Sequence, residues 1–123
     1  MISSTLKALW KSLDAPDEVR GFSNGRIELV HLADVTIGRV TLRPGWKWSK
    51  DLKPIVKTES CEAPHTQYVI SGRLLIAMDD GTRSELKAGD AAVIPPGHDA
   101  WVLGDEPFIA IDFTGLKDYA RRA

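Results

Sequence analysis

A chain of 123 residues is the length of one domain, enough to bury roughly two thirds of the surface its unfolded form exposes. Hydrophobic residues at 43% and charged residues at 27% exclude a disordered or low-complexity protein. With 16 basic against 17 acidic side chains and no block of like charge, the electrostatic footprint of a nucleic-acid or anionic-membrane binder is missing, which leaves a small molecule as the expected ligand.

Leu6, Leu9, Trp10 and Leu13 fall at i, i+3, i+4 and i+7. That spacing predicts a short amphipathic helix over residues 1–15, N-capped by Ser3 or Ser4, stopped by Pro16 and docked on the domain or a partner subunit. The interspersed lysines are unlike a signal peptide, no stretch could span a bilayer, and a lone cysteine gives no sign of an oxidising compartment. Together these place the protein in the cytoplasm.

From Ile27 onward short segments rich in Val, Ile and aromatics predict strands: RIELVHL, VTIGRVTL, QYVISGRLLIAM, AAVI, AWVL and FIAIDF. DDG at 79–81 predicts a hairpin, and AGD, PPG and GDEP mark further reversals. Strands turning about every 8 to 12 residues, with no helix-length interruption, predict an all-β sandwich or small barrel in one domain, 1–123.

The stretch TESCEAPHTQYVISG gathers the only cysteine, a histidine and two glutamates ahead of a strand. Thiolate, imidazole and carboxylate are ligands that zinc accepts, and two histidines with one carboxylate suit non-haem iron. Glu59 and Cys61 share a face if that segment is extended. The bland alternative is an unrelated set of rim residues.

HTQYVISGRLLIAM followed by LKAGDAAVIPPGHDAW resembles the paired motifs of the cupin superfamily, over roughly residues 36–113. Gly72 matches the closing glycine of the first motif, and Gly89, Pro95 and Gly97 match the second at its spacing. The resemblance implies a double-stranded β-helix of the jelly-roll kind with a metal bound inside. Its ligand positions are altered: His65 stands where the motif has glutamate, Glu59 and Cys61 where it has a His-x-His pair, and Ala100 where it has histidine. His98 stands two residues before that last position, hence on the same strand face. The excursion KWSKDLKPIVKT is longer than the usual gap and should reshape the barrel entrance.

The implied site is Cys61, His65 and His98 on a divalent transition metal, zinc or iron, with Glu59 as a fourth ligand or a general base. The resemblance implies a metalloenzyme such as a dioxygenase, isomerase or decarboxylase, or else a barrel that binds or senses a small molecule with a structural metal or none. Trp48, Tyr68, Trp101 and Arg39 are the expected substrate contacts, and Trp46 is a further aromatic of the same kind. His31, alternating with Ile27 and Leu29, is expected to be a hydrogen-bonded structural residue. A homodimer is expected through exposed sheet edges.

Overall fold

The computed structural model describes residues 7–114, 116 and 119 and is built almost wholly of antiparallel strands. In chain order these are β1 (Glu18–Phe22), β2 (Gly25–Leu32), β3 (Val35–Leu42), β4 (His65–Ser71), β5 (Arg73–Met78), β6 (Arg83–Lys87), β7 (Ala91–Ile94), β8 (His98–Leu103) and β9 (Phe108–Thr114). Two one-turn helices, α1 (Trp48–Asp51) and α2 (Lys53–Val56), lie between β3 and β4. One sheet has six strands in the order β1-β2-β3-β9-β4-β7, and the other has three, β6-β5-β8. The two inner faces enclose the core, giving the double-stranded β-helix that the sequence motifs imply.

Period-two alternation decides what goes inside. Val40 and Leu42 on β3, Val69 on β4, Leu74 and Ile76 on β5, and Phe108 and Ala110 on β9 all point inward and are buried. Ala110 lies opposite Val40 on one side and Val69 on the other, so β9 is the seam of the large sheet. Truncating the fully buried Phe108 to alanine would cost about 3–5 kcal/mol.

Two glycines permit this geometry. At Gly72, with φ 81°, a Cβ would sit 2.3 Å from the Pro107 carbonyl oxygen, so only glycine lets the chain cross from β4 in one sheet to β5 in the other. At Gly38 a Cβ would lie 2.4 Å from Leu116, which is seated in the core against that bare backbone.

Several expectations are corrected. The QYVISGRLLIAM run is two strands in different sheets, broken at Gly72, rather than one. Strand β1 lies upstream of where strands were expected to begin, and the 47–58 excursion holds α1 and α2. The helix expected over 1–15 is not formed across its described part: residues 7–12 have no regular structure and 13–15 bend, while residues 1–6 lie outside the described residues. A short amphipathic stripe is stabilised as a helix mainly by burying its apolar face, and here Leu9 and Trp10 are 61% and 82% exposed. Asp14 and the Leu13 carbonyl are instead tied to the outer face of the large sheet by Arg39.

Candidate metal centre

Three elements converge at one end of the barrel. His65 opens β4 and His98 opens β8, both at inward positions. Cys61 forms an isolated antiparallel bridge with His98: its amide donates to the His98 carbonyl at 2.7 Å, and the His98 amide donates back at 3.3 Å. Residues directly opposed in such a bridge project to the same side, so the bridge sets the thiol beside the imidazole. The donor atoms of Cys61, His65 and His98 lie within 4.8 Å of one another, and all three residues are buried.

Hydrogen bonds on the far side of each ring set the ring orientations. The His65 Nδ1 lies 2.7 Å from Asp112 Oδ2, which directs Nε2 toward Cys61 Sγ at 3.8 Å. Asp112 also accepts from Gln67 Nε2 at 3.2 Å and from the Thr114 amide at 2.9 Å. The His98 Nδ1 lies 2.8 Å from the Pro95 carbonyl oxygen, which can only accept, so Nδ1 carries a proton and Nε2 is the ring nitrogen left to serve as a ligand.

Burial alone would push the Cys61 thiol up, but hydrogen bonds and charge from His65 and His98 outweigh it and bring the pKa down to about 6. Burial would likewise depress His65, yet the hydrogen bond to Asp112 and the interaction with Cys61 raise it to about 9. Without a cation the pair is a thiolate beside an imidazolium, the charge separation that low-pKa thiols adopt.

The donor set fits a divalent transition metal. One thiolate and two imidazoles are ligands for zinc, iron or copper, and a carboxylate behind a ligating histidine is the usual orienting partner. Tetrahedral bonds of about 2.0–2.3 Å place donors roughly 3.3–3.8 Å apart. The observed spacing therefore needs to contract by at most about 1.5 Å. Three protein donors leave a coordination position open, as in catalytic rather than closed structural sites.

Beside the centre lies a cavity of about 40 Å³ lined by His65, His98, Trp46, Trp48, Gln67 and Tyr119 among apolar side chains. The Tyr119 ring stands edge-on to His65 with centroids 5.2 Å apart, and its hydroxyl is 3.9 Å from Cys61 Sγ. Buried Arg20 holds this part of the chain by donating from Nη1 to the carbonyls of Leu116 and Tyr119 at 2.8 and 2.7 Å. Burial first, then the nearby Cys61 charge, pushes the Tyr119 phenol well above its ordinary value, so it stays protonated.

Of the residues expected from the sequence, Cys61, His65, His98, Trp46 and Trp48 meet here. Glu59 does not: its carboxylate is 98% exposed and pairs with Lys53 at 3.1 Å. The segment before Cys61 is not extended, because Lys57 is left-handed at φ 61° and the chain bends at 59–60, so Glu59 and Cys61 do not share a face. Tyr68 points outward from β4 and is 45% exposed. Trp101 points out of β8 and lies under Lys47 and Arg83. Arg39 is on the outer face of β3, paired with Glu28 and Asp14. His31 bonds Thr36 and Glu18 in a structural role. Asp112, Gln67 and Tyr119 were not anticipated; Asp112 left a signal, as the acid in the inward series Phe108, Ala110, Asp112.

The profile of the EutQ-like cupin domain matches residues 53–108. No curated protein matches the sequence. Among solved structures, a protein with a double-stranded β-helix domain from Klebsiella pneumoniae is 25% identical at a TM-score of 0.55, over 89% of this chain and 93% of that one. A cupin-like protein from Thermotoga maritima is 18% identical at 0.55, over 80% and 77%. An oxalate decarboxylase from Lactobacillus farciminis, in complex with formate, is 19% identical at 0.59 over 83% of this chain, which spans only 32% of that enzyme. The chain therefore has the cupin fold, and its residues 53–108 match the EutQ-like cupin profile.

Proposed function

We propose that the protein binds one divalent transition metal, zinc or iron, through Cys61, His65 and His98, and uses it to act on a small molecule held in the adjacent cavity. The observation that carries this reading is the preset state of the three donors, with Asp112 and the Pro95 carbonyl fixing both imidazoles while His65 and His98 favour the thiolate. A bound metal of this kind supplies Lewis acidity or, for iron, redox chemistry.

The chain's own groups have separate tasks in that reading. Asp112 holds the His65 ring by its Nδ1 proton and lets Nε2 serve as ligand. Tyr119 keeps its proton and sets its hydroxyl 3.9 Å from Cys61 Sγ, where it could donate to a ligand oxygen held at the centre. Leu116, Trp48 and Phe108 exclude water from the cavity. A ligating thiol suits the reducing cytoplasm.

We further propose a homodimer through the outer face of the six-stranded sheet. Tyr68, Ile70, Val93 and Phe113, on the adjacent strands β4, β7 and β9, are 45–78% exposed. The outward positions around them, Thr66, Ala91, Ile109 and Ile111, carry no charge, while the Arg39–Glu28 pair lies beyond them on β3 and β2. An uncharged centre with a charged rim on a self-complementary face suits a second copy of the chain.

Elemental analysis of protein purified without a metal-binding tag tests the central reading. One zinc or iron per chain is expected, lost in His65→Ala and in His98→Ala. Unchanged stoichiometry in both variants would show that the metal, if any, sits elsewhere.

A further inference from the structure

The cavity beside the metal centre has a polarity of its own. Trp46 is 4% exposed and Gln67 7%, and both line the cavity. Among the described residues, the Trp46 and Trp48 indole N–H groups have no acceptor, and the Gln67 carbonyl oxygen has no donor. The Gln67 amide is fixed in orientation, because its Nε2 must donate to Asp112, so the unpaired atom is the acceptor. A buried donor or acceptor left without a partner is destabilising, which makes these three atoms recognition points for whatever enters, with Trp46 and Gln67 offering one donor and one acceptor.

Charge narrows the class further. Among the described residues that line the cavity there is no Lys, Arg, Asp or Glu. In the metal-loaded centre the ion contributes two positive charges, and the Cys61 thiolate and Asp112 carboxylate contribute two negative ones, with both imidazoles neutral as ligands. The centre is balanced before any ligand arrives. An anionic ligand would bring a buried charge that no side chain there compensates, and a dianion would bring two.

We infer that the cavity takes a small uncharged molecule that accepts a hydrogen bond from Trp46 and donates one to Gln67, in the manner of a primary amide or an alcohol, rather than a carboxylic acid or diacid. This rests on the metal reading for its charge balance, while the Trp46 and Gln67 pair belongs to the protein alone.

The test uses three compact probes, propionamide, propionate and malonate, titrated into zinc-loaded and metal-free protein. The indole N–H signal of Trp46, assigned by its loss in Trp46→Phe, is followed by NMR. Propionamide should move that signal downfield and bind about tenfold or more tighter than propionate, with malonate weaker still, since a tenfold ratio corresponds to a free-energy difference well within what an uncompensated buried charge costs. Gln67→Met, checked for native circular dichroism, should weaken propionamide and leave propionate unaffected. Tighter binding of either anion overturns the inference. So does a Trp46 signal that no probe moves, which would mean that water alone satisfies the pair, or a Gln67→Met variant that binds propionamide as before. Zinc content measured on the same samples separates failure of the metal reading from failure of this one, because the Trp46 response is also read without metal.

Discussion

Raising the pH from 7 to 9 should tighten metal binding by about fiftyfold, because His65 must surrender a proton to become a ligand. Burial disfavours its charged form, but the Asp112 hydrogen bond and the Cys61 interaction prevail and hold its pKa near 9. At pH 7 the ring is therefore protonated, while Cys61, lowered to about 6, has already lost its proton. About one proton leaves per metal bound at pH 7 and about half of one at pH 9, so apparent affinity rises about tenfold from pH 7 to 8 and about fivefold from pH 8 to 9, or roughly 2.3 kcal/mol over the two units. Above 9 the dependence should level off. Asp112→Asn sharpens the test: losing the orienting carboxylate should weaken binding about 10- to 100-fold at pH 9. At pH 7 the loss should be largely masked, because the variant's His65 no longer holds the competing proton so firmly. Zinc competition against a chromophoric chelator of known proton affinities reads both curves. A wild-type dissociation constant constant between pH 7 and 9, or parallel curves for the two proteins, would refute the coupled Cys61–His65–Asp112 arrangement.

Zinc should protect Cys61 from a thiol reagent under native conditions, and a chelator should raise its labelling rate sharply, whereas an inert core thiol would stay unreactive until unfolding. Glu59→Gln should leave metal stoichiometry and affinity unchanged, as its carboxylate is 98% exposed; a tenfold loss of affinity would return Glu59 to the centre. Ile70→Lys, placing a charge in the uncharged outer face, should convert the dimer to monomer in sedimentation velocity while thermal stability shifts by less than about 0.5 kcal/mol. A variant that remains dimeric would move the interface elsewhere.

The legible and illegible parts of the centre differ in how far they depend on chain closure. Strands β2, β3, β7 and β9 could be read because a half-buried strand writes its burial into alternate residues, and His98 could be placed on the inward face of β8 by the same rule. Glu59 was misplaced by that very rule, which holds only for extended backbone and fails where Lys57 turns left-handed. The N-terminal stripe of Leu9 and Trp10 was legible as a period but not as a helix, since the period says nothing about whether a surface exists to receive it. Tyr119 was out of reach for a third reason: its place beside His65 is set by Arg20, 99 residues away, bonding its carbonyl, and no local pattern encodes that pairing. Asp112 lies between these cases. Its position after Phe108 and Ala110 shows that an acid is turned into the core, and a buried carboxylate requires donors. Which donors it finds depends on β4 pairing with β9, where Gln67 falls opposite Asp112 and His65 reaches it from the same inward face. A polar residue at an inward strand position thus discloses from sequence that a site exists, while the sheet register decides which residues belong to it.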